Sequence, residues 1–350
     1  MAAGDIVLIT GSTGHIGFRV LRYALEYGYQ VRAAVRSEAK ARAVASNPAL
    51  KAMNVDSQLS FVVVPDFLAP GAFDEAVKGV KYIIHVASPI ADINSNEDPE
   101  TKYIQPAVQG TLGVFRSAQN EPSVKRIVVT SSVVVIIPIT AMFVEPVDEV
   151  FDAESRVPNM QGPYPNAMIA YAASKIPAFN AATRWIEEEK PAFDVINIHP
   201  SFVEGRDDST FTTAGFHTGT NKWPLDIALS NKHEAPTPNN VNHVDDAARV
   251  HVLALDPKVK GNQSFITSSS GQDGMEWDDA KKYIAKHFPN AVKQGILPNN
   301  GHIPTLIAKI DSSKTEETFG FKHKSYEEMV VSVIAHYLEL LEKEQSQLKN

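Results

Sequence analysis

Tyr171 and Lys175, in the run Tyr-Ala-Ala-Ser-Lys, stand one helical turn apart on the same face, close enough for each to feel the other's charge. Nowhere else in the chain does a lysine follow a tyrosine at that spacing. Such a pair has a chemical use. Hydride delivery to a carbonyl carbon leaves an alkoxide, which needs a proton donor at hydrogen-bond distance and a second donor to hold its oxygen. A phenol can be the first, but with a pKa of about 10 it is a weak acid near neutrality; a neighbouring ammonium and a positive nicotinamide favour the phenolate and lower that value. Ser132, at the end of Thr130-Ser131-Ser132, offers the second hydroxyl. The expected roles are Tyr171 as proton donor, Lys175 as its tuner and Ser132 as carbonyl orienter. The plain alternative is a surface Tyr and Lys on an ordinary helix.

A second motif explains where the hydride would come from. Thr10-Gly11-Ser12-Thr13-Gly14-His15-Ile16-Gly17 follows a short apolar run directly and opens an amphipathic segment. Glycines at spacing three and three let the chain turn sharply, bring bare backbone against a pyrophosphate and pack the next helix closely. The helix N-terminus then offers unpaired N–H groups and positive dipole to the anion. Gly11, Ser12, Thr13, Gly14, His15 and Ile16 are the expected cofactor contacts here, His15 through its backbone.

Which dinucleotide is preferred depends on the end of the second strand, where an acid would hold ribose hydroxyls and a cation would accept a 2′-phosphate. This chain has Val35-Arg36 there, with Lys40 one turn on. The planar Arg36 fork and the Lys40 charge predict NADPH/NADP; the alternative is two solvated helix charges with Glu38 pairing locally. Asp66, just past the third strand, is placed to face the adenine amino group.

The elements that must carry these residues follow from periodicity. Short apolar runs (6–10, 31–35, 61–64, 82–86, 127–129, 195–198) alternate with helical patterns (16–27, 37–46, 72–78, 99–119, 169–189). Strands alternating with helices over some two hundred residues require right-handed crossovers and a parallel sheet covered on both faces. The expected class is α/β, a doubly wound parallel sheet (Rossmann) with a smaller mixed C-terminal substrate lobe. The Rossmann domain is assigned to 1–200 and the lobe to 201–350, with segments exchanging between them. In the lobe, separated helices are expected at 244–255, 277–287 and 326–342.

Composition narrows the class further. With 350 residues, 43% apolar, the chain can bury a sizeable core, and a formal charge of −8 gives no basic face for nucleic acid. With no cysteine, disulfides and thiolate chemistry are excluded. Eleven histidines show no ligand spacing with carboxylates, so no metal is expected. The N-terminus runs straight into an apolar strand, which predicts a cytoplasmic protein. Residues 127–144 are apolar but broken by Thr130-Ser131-Ser132 and Pro138, and read as strand, not membrane span. The expected partner is a small-molecule carbonyl substrate, and the protein a monomer or homodimer.

Together these motifs resemble the extended short-chain dehydrogenase/reductase family, in particular its fungal aldehyde and ketone reductases, the methylglyoxal reductase and dihydroflavonol 4-reductase-like group. The likeness runs over nearly the whole chain and includes Val31-Arg32-Ala33-Ala34-Val35-Arg36-Ser37, His85-Val86-Ala87-Ser88-Pro89, His199-Pro200-Ser201-Phe202-Val203, His243-Val244-Asp245-Asp246, Ser313-Lys314 and Phe319-Gly320-Phe321. The resemblance implies an NADPH-dependent carbonyl reductase. It adds Phe67, Pro200 and Val203 to the cofactor contacts and places Ala87, Ser88 and Pro89 beneath the cofactor, with Tyr171 and Lys175 also touching it.

Two departures bear on substrate. Ala107 stands where many extended members have an asparagine that organises a relay water. Val133 to Ile137 replace smaller residues, which suggests apolar or aryl aldehydes and ketones, with Val133, Phe202, Phe216 and Trp223 as pocket lining. Three other readings share parts of the pattern. A sugar-nucleotide epimerase or dehydratase would need cations beyond Pro200, where Arg206 and Arg249 are the only arginines. A hydroxysteroid-type dehydrogenase using NAD is opposed by Arg36. A non-catalytic cofactor-sensing regulator would not require Ser132, Tyr171 and Lys175 together.

Overall fold

The computed structural model describes residues 4–88, 98–164, 167–269, 271 and 274–348. The principal elements in chain order are β1 (Ile6–Thr10), α1 (His15–Glu26), β2 (Gln30–Val35), α2 (Glu38–Ala45), β3 (Leu59–Val63), β4 (Tyr82–His85), α3 (Gln105–Gln119), β5 (Arg126–Thr130), α4 (Ala167–Glu189), β6 (Asp194–Pro200), α5 (Val244–Leu253), β7 (Gln263–Thr267) and α6 (Tyr326–Leu348). The seven strands form one sheet in the order β7-β6-β5-β4-β1-β2-β3. Pairing is parallel from β3 across to β6. The chain builds outward from β1 to β3, then crosses back to lay β4 on the other side of β1. Between β1 and β4 the order reverses, and the crevice outside the carboxyl ends of those strands is where α/β sheets receive ligands. This is the doubly wound class expected from the sequence.

The chain forms two compact units: Met1–Ile139, Glu154–His199 and Ala248–Phe265 make the first; Thr140–Ala153, Pro200–Ala247 and Ile266–Asn350 make the second. The core of the first gathers sheet residues such as Leu8, Ile83 and Ile127 with Phe73, Phe115 and Trp185. That of the second packs Phe216, Leu225 and Trp277 against α6 through Met329, Val330 and Val333. Its β structure consists of two- and three-residue pairs, among them Phe202–Glu204 beside Val241–His243. No helix among the described residues is long and apolar enough to cross a membrane.

Two local expectations change. The pattern at 72–78 predicts a helix, but the segment is a succession of turns. Gly71 and Gly79 bracket it with φ of +68° each. Arg32 satisfies two of its carbonyls, donating to Ala76 O at 2.7 Å and Lys78 O at 2.8 Å. The long helix expected from 99 begins as a π-helical stretch, Glu100–Ile104, and becomes α-helical only at Gln105. Pro106 lacks an N–H to donate to the preceding turn.

Candidate active site

The glycine turn is built by steric necessity. Gly11 lies in the left-handed region at φ +80°, and a Cβ there would meet the Ala87 backbone nitrogen at 2.6 Å. A Cβ on Gly17 would stand 2.0 Å from the Gly11 carbonyl oxygen. Gly14 caps α1 without any side-chain cap bond, and the first turn carries no acidic residue. Neither a capping side chain nor an acid of its own first turn competes at the start of α1. Ser12 is fully buried and its Oγ has no partner among the described residues. Thr13 is exposed, and His15 and Ile16 form the half-buried first turn. Bare backbone, an uncapped helix start and an unmet hydroxyl fit a dinucleotide pyrophosphate.

At the end of β2, Ser37 accepts from the Lys40 N–H at 3.3 Å and so starts α2. The Arg36 guanidinium lies 5.9 Å from the centroid of the Phe67 ring. Among the described residues neither Arg36 nor Lys40 has a carboxylate partner, so local pairing with Glu38 does not form. Asp66 is exposed and accepts the Leu68 N–H at 2.9 Å.

The strand–helix pair β5–α4 brings Ser132, Tyr171 and Lys175 together. Ser132 follows β5 directly and is 7% exposed, with its Oγ accepting from Val134 N–H at 3.4 Å. Its side chain hydrogen-bonds the Tyr171 hydroxyl. Lys175 Nζ lies 5.8 Å from the centre of the Tyr171 ring. Burial pushes the Tyr171 hydroxyl above its ordinary value, against the pull of the Ser132 hydrogen bond. It also brings Lys175 down to about 8. The expected lowering of the tyrosine by its lysine is thus not what the protein's own groups produce: desolvation dominates and favours the neutral phenol.

The remaining expected residues are placed as follows. Ala87 and Ser88 are half-buried beyond β4, while Pro89 lies outside the described residues. In the second unit Val203 is 6% exposed, Pro200 is buried, and Phe202 and Trp223 are half-buried with ring centroids 6.4 Å apart. Phe216 is 2% exposed at the centre of that unit's core, against His336 and Tyr337, which makes it a packing residue and not an open wall. Val133 is buried beside Ser132. Among the described residues no His, Asp and Glu group could hold a metal ion.

Two polar residues given no role from sequence lie close to the triad. Parallel register sets Thr10 beside His85, His85 beside Val129 and Val129 beside Asn197. Thr10 Oγ1 and His85 Nδ1 are 2.9 Å apart. The signal that could have found them is a polar residue inside an otherwise apolar strand, as in Val195-Ile196-Asn197-Ile198.

The chain is similar to known proteins over nearly its whole length. The chain is 46% identical over 98% of its length, and 98% of the other, to ketoreductase CTB6 of Cercospora beticola. It is 27% identical to aldehyde reductase 2 of Sporidiobolus salmonicolor over 90% of this chain and 89% of that one. Its fold matches yeast methylglyoxal/isovaleraldehyde reductase Gre2, complexed with NADPH, at a TM-score of 0.80 and 24% identity, covering 96% of this chain and 99% of that one. Residues 7–266 match the model of the NAD dependent epimerase/dehydratase family. With the glycine turn after β1, the reversal of strand order beside it and a match over most of the chain, this protein belongs to the NAD dependent epimerase/dehydratase family.

Proposed function

We propose that the protein is an NADPH-dependent carbonyl reductase that converts apolar or aryl aldehydes and ketones to alcohols, with Tyr171 as the proton donor. The observation that carries this is the gathering of the Ser132 hydroxyl, the Tyr171 phenol and the buried Lys175 ammonium after the carboxyl end of β5. A ketoreductase at 46% identity supports the reaction class.

When bound, the dinucleotide supplies a hydride to the carbonyl carbon. Ser132 and Tyr171 hold the carbonyl oxygen. The raised value of Tyr171 keeps its proton in place at neutral pH, ready for the forming alkoxide. Once that proton has moved, the Ser132 hydrogen bond and the Lys175 charge stabilise the phenolate left behind. Gly11 to Ile16 would hold the pyrophosphate, and Arg36 and Lys40, free of carboxylates, would take the 2′-phosphate. The buried Val133 beside Ser132 favours an apolar or aromatic substrate. A sugar nucleotide is disfavoured because Arg206 is already committed to Asp208 at 2.7 Å and Glu339 at 2.6 Å.

NADPH consumption against a panel of aldehydes, ketones and diketones tests this reading. Larger apolar carbonyls should be turned over faster than small polar ones. Tyr171→Phe should lose turnover by roughly a hundredfold or more while still binding NADPH. Retained turnover would move the proton donor elsewhere, and a strong preference for a charged sugar nucleotide would overturn the substrate class.

A further inference from the structure

A proline inside a helix removes a backbone hydrogen bond, so its presence there calls for a local reason. Helix α4 contains one, Pro177, two residues beyond Lys175. At about 3.6 residues per turn that separation is roughly 200° of rotation, so Pro177 and Lys175 point to opposite sides of the helix. Pro177 is half-buried and forms part of the wall of a cavity of about 300 Å³. The rest of the wall comes from the start of α3, from the π-helical turn before it and from the connection ahead of α4, all within the first unit. The cavity therefore lies behind the catalytic helix, away from the face that carries Lys175.

Its volume stands at the lower bound of small-molecule sites, roughly 300 to 1,000 Å³, and its lining has two characters. Ile104, Val108, Met160 and Pro177 are apolar, whereas Glu100, Tyr164 and the carboxamides of Gln105, Gln109 and Asn159 are polar. The charge is one-sided. Glu100 is the single charged residue among the described lining, which includes no Lys, Arg or His. No described residue pairs with its carboxylate. The nearby Asp98 carboxylate, by contrast, accepts the Thr101 N–H at 3.3 Å and the Thr101 hydroxyl at 3.2 Å. Burial, and then the Glu100 and Asp98 charges, push the Tyr164 phenol above its ordinary value, so both carboxylates act at that hydroxyl. An anion would be repelled here, and a neutral apolar molecule would withdraw Glu100 from water without any counter-charge. A cation meets both conditions, and a phenol ring in the wall adds to its attraction.

We propose that this cavity is a second small-molecule site, taking a primary ammonium carried on an apolar or aryl body, with Glu100 as the counter-charge and Ile104, Val108, Met160 and Pro177 around the body. The assignment goes beyond carbonyl reduction and stands whether or not Tyr171 is the proton donor. Because Pro177 belongs to the helix that carries Tyr171 and Lys175, an occupant of the cavity meets that helix from the side opposite the catalytic pair.

Titration calorimetry of the full chain, saturated with NADPH so that the nucleotide seat is filled, tests this with three phenyl probes: 2-phenylethylammonium, 2-phenylacetamide and phenylacetate. The ammonium should bind at least about tenfold more tightly than the amide, and phenylacetate should give no binding heat. Glu100→Gln should bring the ammonium down to the level of the amide, a loss of about tenfold. This variant keeps the size of a half-buried residue at a helix start and leaves folding and the NADPH dissociation constant at the parent values. Val108→Trp, which fills the cavity, should remove binding of both the ammonium and the amide. Equal affinity for ammonium and amide overturns the proposal, as does a preference for phenylacetate. So does an ammonium affinity that survives in Glu100→Gln or in folded Val108→Trp. Loss of turnover in Tyr171→Phe bears on the reductase reading alone and is distinct from every one of these results.

Discussion

A buried lysine without a carboxylate is an expensive residue to keep, and its cost has a measurable pH signature. Lys175 is 8% exposed and brought down to about 8, whereas an unfolded lysine titrates near 10.4. Between those values the unfolded chain holds more protons than the folded one, so stability rises with pH across that window; below about 8 the cost is felt in full. Lys175→Met should therefore melt higher than the parent at pH 7, with the advantage shrinking by pH 10. A constant difference at both pH values would show that burial does not shift Lys175 between the folded and the unfolded chain. Arg36 makes the other residue-scale test: Arg36→Asp should raise the KM for NADPH at least about tenfold relative to NADH. Equal use of both dinucleotides by the parent would remove Arg36 from the phosphate site. At this scale the proximity of Tyr171 and Lys175 was legible, because their spacing puts them one helical turn apart. The row formed by His85, Val129 and Asn197 was not, because register joins strands far apart in sequence.

Among the elements, the glycine turn was read correctly because glycine spacing reports a backbone demand that no other residue meets. Gly11→Ala places a methyl at 2.6 Å from the Ala87 nitrogen and in the left-handed region at φ +80°. It should cost about 1 to 3 kcal/mol in urea unfolding and weaken NADPH binding with it; unaltered unfolding would mean that the turn relaxes freely. The segment at 72–78 shows why a helical pattern can mislead. Its buried Phe73, Ala76 and Val77 satisfy helical spacing. Gly71 and Gly79, however, provide a turn-rich path in which the Ala76 and Lys78 carbonyls are met by the Arg32 guanidinium.

At the scale of the molecule, the first unit is tied by Arg126 at the start of β5. It makes a two-pronged contact with Asp194, at 2.6 and 2.9 Å, and donates to the carbonyls of Ala254, Asp256 and Val259. With its side chain 6% exposed, Arg126 joins β5 and β6 to the turn that follows α5. Arg126→Met leaves those acceptors without a donor and should lower unfolding stability by about 3 kcal/mol or more, read from denaturant midpoints; an unchanged midpoint would mean that water replaces the guanidinium at no cost. Six of the seven strands were legible from short apolar runs alternating with amphipathic helices; the edge strand β7 (Gln263–Thr267) was not expected, because its Gln263 and Ser264 break the apolar run. The second unit was legible only as separated helices, because strand pairs two or three residues long, such as Thr237–Pro238 beside Thr305–Leu306, are too short to show a period.

The close approach around Gly11 also limits how the nucleotide seat could be re-engineered. Methyl groups at positions 11 and 17 run into fixed main chain, whereas Gly14 has extended dihedrals, φ −107° and ψ 171°, and nothing nearer to an added Cβ than 3.8 Å. Directed evolution toward truncated or synthetic nicotinamide carriers thus has one tolerant wall, at Gly14 and the exposed Thr13 beside it, and libraries spread evenly over the turn would be spent mostly on sequences that cannot close it.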